Sequence, residues 1–138
     1  MIQPTSSMRN LGVQLRSDLV SAVVCSCNYN IRQVRAVRSA LSRDALRDVA
    51  YALVLSRLDY CNSLYANATV TQMRRLQMII NMAASVVSGR RRFDPITDFI
   101  KRELHWLPVV ERVQFKICTM VIKAVHNHSQ SYISELIL

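Results

Sequence analysis

Cysteine and histidine pairs are the first residues in this chain whose types suit chemistry. Cys25 with Cys27, and His126 with His128, each leave one residue between the members. Structural zinc sites usually set paired ligands two to four residues apart. On a continuous helix Cys25 and Cys27 diverge by about 200°, which spoils a shared ligand position. Cys61 and Cys118 fall in separate apolar stretches. No metal site is expected, and the four cysteines read as buried thiols in a reducing compartment. A Cys61–His105 couple would suit nucleophilic catalysis, yet no spacing motif joins the two. Metal-dependent phosphoryl transfer needs close carboxylates. The aspartates are spread over positions 18, 44, 48, 59, 94 and 98, and Asp94 fits better as a helix cap. No glycine-rich loop ending in Lys-Ser or Lys-Thr is present to cradle a nucleotide. The expectation is a chain with no catalytic residues and no cofactor site, hence not an enzyme by itself.

Arginine is the positive signal. Of 18 basic residues 15 are arginine, and 9 acidic residues leave a formal net charge of +9. The planar guanidinium fork suits bidentate phosphate contact. An excess of this size points to an anionic partner, a phosphate backbone ahead of an acidic membrane surface. Candidate nucleic-acid contacts are Arg32, Arg35, Arg38, Arg43, Arg47, Arg74, Arg75, Arg90, Arg91, Arg92, Lys101 and Arg102. The first five straddle the end of one expected helix and the start of the next. Three more lie in the basic loop GRRRFDP at 89–95. Such contacts position a duplex without reading its bases. Arginine clusters also serve protein interfaces or plain solvated surfaces, and both readings stay open. Tyr60, Tyr65, Phe93, Trp106 and Phe115 have faces on which bases stack. Trp106, in HWLP, fits more simply as a plug at a helix corner, and Met73, Met78, Met82 and Met120 as core filler.

Helices must position these side chains. A hydrophobic fraction of 51% supports a core, and two glycines with three prolines leave little punctuation for a many-stranded sheet. The expected class is all-α, a small bundle of about five helices with one short orphan strand near the N-terminus. Leu11, Val13 and Leu15 alternate as a strand does, and its partner is expected upstream of this chain. Residues 1–9 read as a frayed end and 10–138 as one helical unit, with a possible break at 89–94.

Ser17 or Asp18 is the expected cap of a first helix to about Leu41, with Val20, Val23, Val24, Cys27, Ile31, Val34, Val37 and Leu41 on its apolar side. Ser42 would cap a second helix, with Asp44 in its first turn and Leu46, Val49, Ala50, Leu53, Val54, Arg57, Leu58 and Cys61 following at helical spacing, Arg57 being the odd member whose stem can snorkel out. Asp59 should meet a local amide or an arginine. Thr69 with Gln72 fits a capping box, and Gly89 a terminating glycine. Asp94 and Pro95 would open a short helix to about Leu104. From Pro108, a stripe of Val110, Val113, Ile117, Met120, Val121 and Val125 runs to about His126. QSYISELIL adds a last turn. The opening MIQPTSSMRN has no basic start followed by an apolar core, and no run spans a membrane. An intracellular location is expected, nuclear or cytoplasmic.

A set of phrases in fixed order carries a family resemblance. NLGV at 10–13, SRLDYCNSLY at 56–65, LQMIINMAASVVSG at 76–89, FDPI at 93–96, RELHWLPVVERVQFKI at 102–117 and SYISEL at 131–136 cover nearly all of the chain from Asn10. Together they resemble the region just after the palm of reverse transcriptases from non-LTR retrotransposons, the chicken-repeat and jockey-like groups above all. The resemblance implies the helical thumb and following tail of an RNA-directed DNA polymerase, bearing on an RNA or RNA–DNA duplex and on a palm domain missing here. In that family the palm holds divalent metal, magnesium, on paired aspartates, and no family catalytic residue has a counterpart in this chain. Two features depart from the family: Arg16 replaces a common aspartate, and the link into the first helix is shorter. The expected role is a truncated fragment with at most template–primer contact. A stand-alone helical interaction module and a non-functional remnant of a decayed element are the alternatives.

Overall fold

Gln72 and Thr69 bond each other's backbone amides at 2.9 and 3.2 Å, and this capping box starts the helix around which the others assemble. The computed structural model describes residues 7–10, 13–16, 19–90, 94–126, 128 and 130–137. It is a small, mostly helical bundle. Among the described residues the α-helices are α1 Leu19–Val37, α2 Arg43–Ala50, α3 Ser56–Asp59, α4 Val70–Ser88, α5 Thr97–Phe99, α6 Val109–Val125 and α7 Ser131–Ile137. Strands β1 Ser7–Asn10 and β2 Val13–Arg16 precede them as an antiparallel pair, with Met8 opposite Leu15 and Asn10 opposite Val13.

That pair corrects the expectation of an orphan strand. The backbone groups of a lone strand need partners, and here residues 7–10 supply them to β2. Residues 7–9, expected to fray, form most of β1. Residues 1–6, and the proposed caps Ser17 and Asp18, lie outside the described residues.

α4 packs against α1, α2, α5 and α6 and buries Leu76, Ile79, Ile80, Ala83, Ala84, Val86 and Val87. Met73, Leu76, Ile80, Ala83, Ala84 and Val87 recur at helical spacing in the sequence; all but the half-buried Met73 are buried, and Ile79 and Val86 widen that face. α1 buries Val20, Cys27, Ile31 and Val34 in the same core, while Val37, expected inside, is 45% exposed at the last turn. Ser42 caps α2 as expected, its Oγ accepting from the Ala45 amide at 3.3 Å.

α2 does not end at Ala50 but widens into a π-helical segment, Tyr51–Leu55, and continues as α3. Each π turn takes up an additional residue, so the register of the apolar face shifts. Leu55 is fully buried as a result, and Leu53, expected inward, faces out. α1 supplies polar caps to this segment: Asn30 Nδ2 donates to the Leu53 carbonyl at 2.6 Å and Cys27 Sγ to that of Val54 at 3.8 Å.

Two non-glycine residues stop helices in the left-handed region, Cys61 at φ 54° and His105 at φ 53°. Cys61 was expected on the inner helical face; instead it turns the chain into a 3-10 segment, Asn62–Asn67. The second short helix is α5 with its π-helical continuation Ile100–Leu104. It begins at Thr97 after Ile96, so Asp94 is not its cap. His105 then folds the chain back, and the Trp106 amide donates to the Ile100 carbonyl at 3.0 Å. Trp106 is 5% exposed and meets Tyr51 at 6.5 Å between ring centroids, the corner plug its sequence context suggested. Pro108 stands just before α6 as its N-terminal boundary residue.

Candidate nucleic-acid interface

Phe99 organises the basic end of the bundle. Its side chain is buried, and two guanidinium groups lie over its ring, Arg43 at 5.1 Å and Arg90 at 5.4 Å from the centroid. Cation–π attraction of this kind contributes about 0.5–2 kcal/mol, more where the ring is shielded from water. Arg43 comes from the first turn of α2, Arg90 from the residue after Gly89 at the end of α4. Arg90 Nη1 also donates to the Pro95 carbonyl at 2.7 Å, and Arg43 Nη2 pairs with Glu103 Oε2 at 3.0 Å. Phe99 and Glu103 are four residues apart, so Arg43 touches ring and carboxylate together.

Arg38 completes the group. Its guanidinium lies so close to Gly89 that a Cβ there would clash with it. The C-terminal end of a helix carries partial negative charge, which favours a cation at that spot. Arg38, Arg43 and Arg90 therefore converge on Phe99 and Gly89 although they come from three separate stretches of chain.

Other candidates fall around or away from this group. Arg35 and Arg32 are exposed about one and two turns before Arg38, and Lys101 and Arg102 are exposed beside Glu103. Arg47 is drawn to its own helix, 3.6 Å from Asp44 and 3.2 Å from Asp48. Arg74 and Arg75 lie at the opposite end of α4, roughly 20 Å along the axis from Arg90. Arg75 Nη2 donates to Ser21 Oγ at 2.8 Å and joins α4 to α1. Arg91 and Arg92 lie outside the described residues, as does Phe93.

Several expectations need correction. Cys27 alone among the cysteines is buried; Cys25 and Cys118 are exposed and Cys61 is half-buried. The 200° between Cys25 and Cys27 puts only one of them on the packed side of α1. Burial pushes the Cys27 thiol up to about 11, despite the charge of Arg57. Tyr65 and Trp106 are core residues, which removes them as base-stacking surfaces, whereas Tyr60 and Phe115 are exposed. Met78 and Met120 are exposed rather than filling the core. Among the described residues no three His, Cys, Asp or Glu side chains come together as a metal would require, and no helix is long and apolar enough to cross a membrane.

Asp59 meets an arginine, and it is Arg112 of α6. Phe99, Glu103 and Arg112 were not singled out in the sequence as part of a site. The four-residue step from Phe99 to Glu103 was the one signal for the first two. No family model, no curated protein and no solved structure matches the chain.

Proposed function

We propose that the chain is a non-catalytic helical module derived from the thumb region of a mobile-element RNA-directed DNA polymerase, and that it holds nucleic acid by its arginine end. Arg43 and Arg90 over the Phe99 ring, with Arg38 against the neighbouring Gly89, carry this reading. These three guanidinium groups, two from the α1–α2 junction and one from the end of α4, form a charged platform near the exposed Arg32, Arg35, Lys101 and Arg102, and phosphates would meet it with little ordering cost. The ordered phrases from NLGV to SYISEL supply the polymerase origin. Under this reading the chain works inside the cell, on an RNA or RNA–DNA duplex, and polymerisation belongs to the palm of such an enzyme.

A salt titration of binding to an RNA–DNA hybrid tests it. Tight binding at low salt that weakens steeply as salt rises is the expected result. A folded sample that fails to bind at low salt would end the reading.

A second reading, a helical protein-interaction module, is favoured by α6. Of the stripe expected to face the core, only Val113 is buried and Ile117 half-buried; Val110, Met120, Val121 and Val125 are exposed. An apolar face left open on a small bundle is what a docking helix offers.

A further inference from the structure

α6 carries two apolar faces. Val109, Val113 and Ala124 are buried against the bundle. Phe115 at 65%, Ile122 at 58% and Val125 at 52% exposure face solvent together with Cys118. α7 already packs on α6 and leaves this side open. At 100° per residue the open side is centred about 150° from the buried one, so it is not the margin of the core. Phe115, Cys118, Ile122 and Val125 follow one another at steps of three, four and three, the spacing of a coiled-coil seam.

We propose that this seam joins two copies of the chain, their α6 helices antiparallel and related by a two-fold axis beside Cys118. The seam is self-complementary in this direction, with an acidic residue at one end and a histidine at the other. Two chains of net charge +9 repel unless they meet on a neutral surface. Gln114, Thr119 and Val121 flank the seam, and Lys116 and Lys123 lie more than about 100° away from its centre. Glu111 stands at one end of the seam and His126 at the other. An antiparallel pair brings Glu111 of one copy to His126 of the second and opposes the two helix dipoles, whereas a parallel pair would stack Glu111 on itself. Cys118 is equidistant in sequence from Glu111 and Val125, so a two-fold axis at the centre of the seam makes Cys118 meet its own counterpart.

This inference rests on the second reading, that the open face of α6 is an interface. Sedimentation of the full chain at rising concentration should show the mass climb from 15.8 kDa to about twice that value. Added salt should favour the pair by screening its charge, opposite to its effect on nucleic-acid binding. The solvent-facing substitutions Phe115→Asp and Ile122→Asp, with helicity verified by circular dichroism, should hold the mass at 15.8 kDa. Copper–phenanthroline in air should link two Cys118 thiols as a disulfide, two electrons and two protons passing to the oxidant. The covalent pair should survive Cys25→Ser and vanish with Cys118→Ser. A pair whose mass ignores Ile122→Asp overturns the proposal. So does a chain that stays monomeric: if maleimide then labels Cys118 freely, the interface reading survives without self-pairing, and if Cys118 is closed to the reagent, both fail.

Discussion

Arg112 reaches Asp59 across 53 residues of chain, one guanidinium nitrogen, Nη1, lying 2.8 and 2.7 Å from the two carboxylate oxygens. Its Nε donates to the Leu107 carbonyl at 2.7 Å, so the same side chain also secures the corner that leads into α6. The arginine side chain is 11% exposed and the aspartate 32%. Asn62, the buried polar residue beside this junction, adds a long 3.5 Å contact from Nδ2 to the Arg112 carbonyl. The pair thus fastens the end of α3 to the start of α6, two segments that the left-handed residues Cys61 and His105 have redirected.

Removing one member should cost more than the pair contributes, because the other is left poorly solvated. Arg112→Ala should lower stability by about 2–3 kcal/mol, below the usual cost of breaking a fully buried pair because water reaches Asp59. Arg112→Lys should not restore it, since lysine cannot serve Leu107 and Asp59 from one planar group. Urea unfolding of Arg112→Ala, Asp59→Ala and the double variant gives the coupling, expected at about 1–2 kcal/mol. A coupling of zero would mean that the two ends are held by packing alone.

Gly89→Ala tests the end of α4 by two effects at once. The backbone there has φ 76°, a conformation costing L-residues about 1–2 kcal/mol, and the added methyl must displace Arg38. A loss of about 1–3 kcal/mol is expected in thermal unfolding. Weaker nucleic-acid binding should accompany it even at temperatures where the variant is fully folded, because Arg38 loses its seat.

The capping box, the Ser42 cap, the terminating glycine and most of the inner faces of α1 and α4 were legible in the sequence because each depends on residues a few positions apart. Ser42, Thr69, Gln72 and Gly89 behave as their local chemistry requires. What could not be read was non-local or depended on register. The π-helical segment exchanged Leu53 for Leu55 on the buried side, and no feature of YALVL distinguishes it from ordinary helix. The pairing of Arg112 with Asp59 needed the fold to choose among 15 arginines. Period alone also overstated burial on α6, since an apolar stripe records which side avoids water and not whether this chain covers it. For the basic end, composition gave the residue type, but Phe99 as the platform required three dimensions.

Alkaline pH should unfold the chain through its buried acids. Burial pushes the Tyr65 hydroxyl up from 10.0 to about 12, reinforced by negative charge on the neighbouring Cys27 and Cys61 sulfurs as they ionise, and burial pushes Cys27 up from 9.0 to about 11. Both folded values exceed the unfolded ones, so the unfolded chain releases its protons first. Their stabilisation is complete below about pH 9 and is lost as pH climbs from there to about 12. Each group accounts for ~2–3 kcal/mol over its window. Tyr65→Phe should flatten the upper part of the pH–stability curve and Cys27→Ala the lower part. A curve unchanged by either substitution would show that neither group is shielded in solution.

Glu103 holds Arg43 by an ion pair in which both side chains are more than half exposed, so the pair itself adds little stability. Its larger consequence is for binding. A phosphate approaching Phe99 must compete with the Glu103 carboxylate for Arg43, and the carboxylate also repels it. Glu103→Gln removes the competing charge while leaving an amide of the same shape. If the arginine end holds nucleic acid, this variant should bind an RNA–DNA hybrid more tightly at low salt, by about 3- to 10-fold. Its salt dependence should also steepen, by roughly one unit on a log–log plot for one added phosphate contact. Arg38→Ala and Arg90→Ala should shift the slope the other way by a similar amount. Arg74→Ala, at the far end of α4, should leave it in place. The four variants together separate a localised contact from diffuse attraction to a chain of charge +9. Diffuse attraction would make every arginine loss equivalent, Arg74 included, and would make the Glu103 substitution no different from removing any other surface carboxylate.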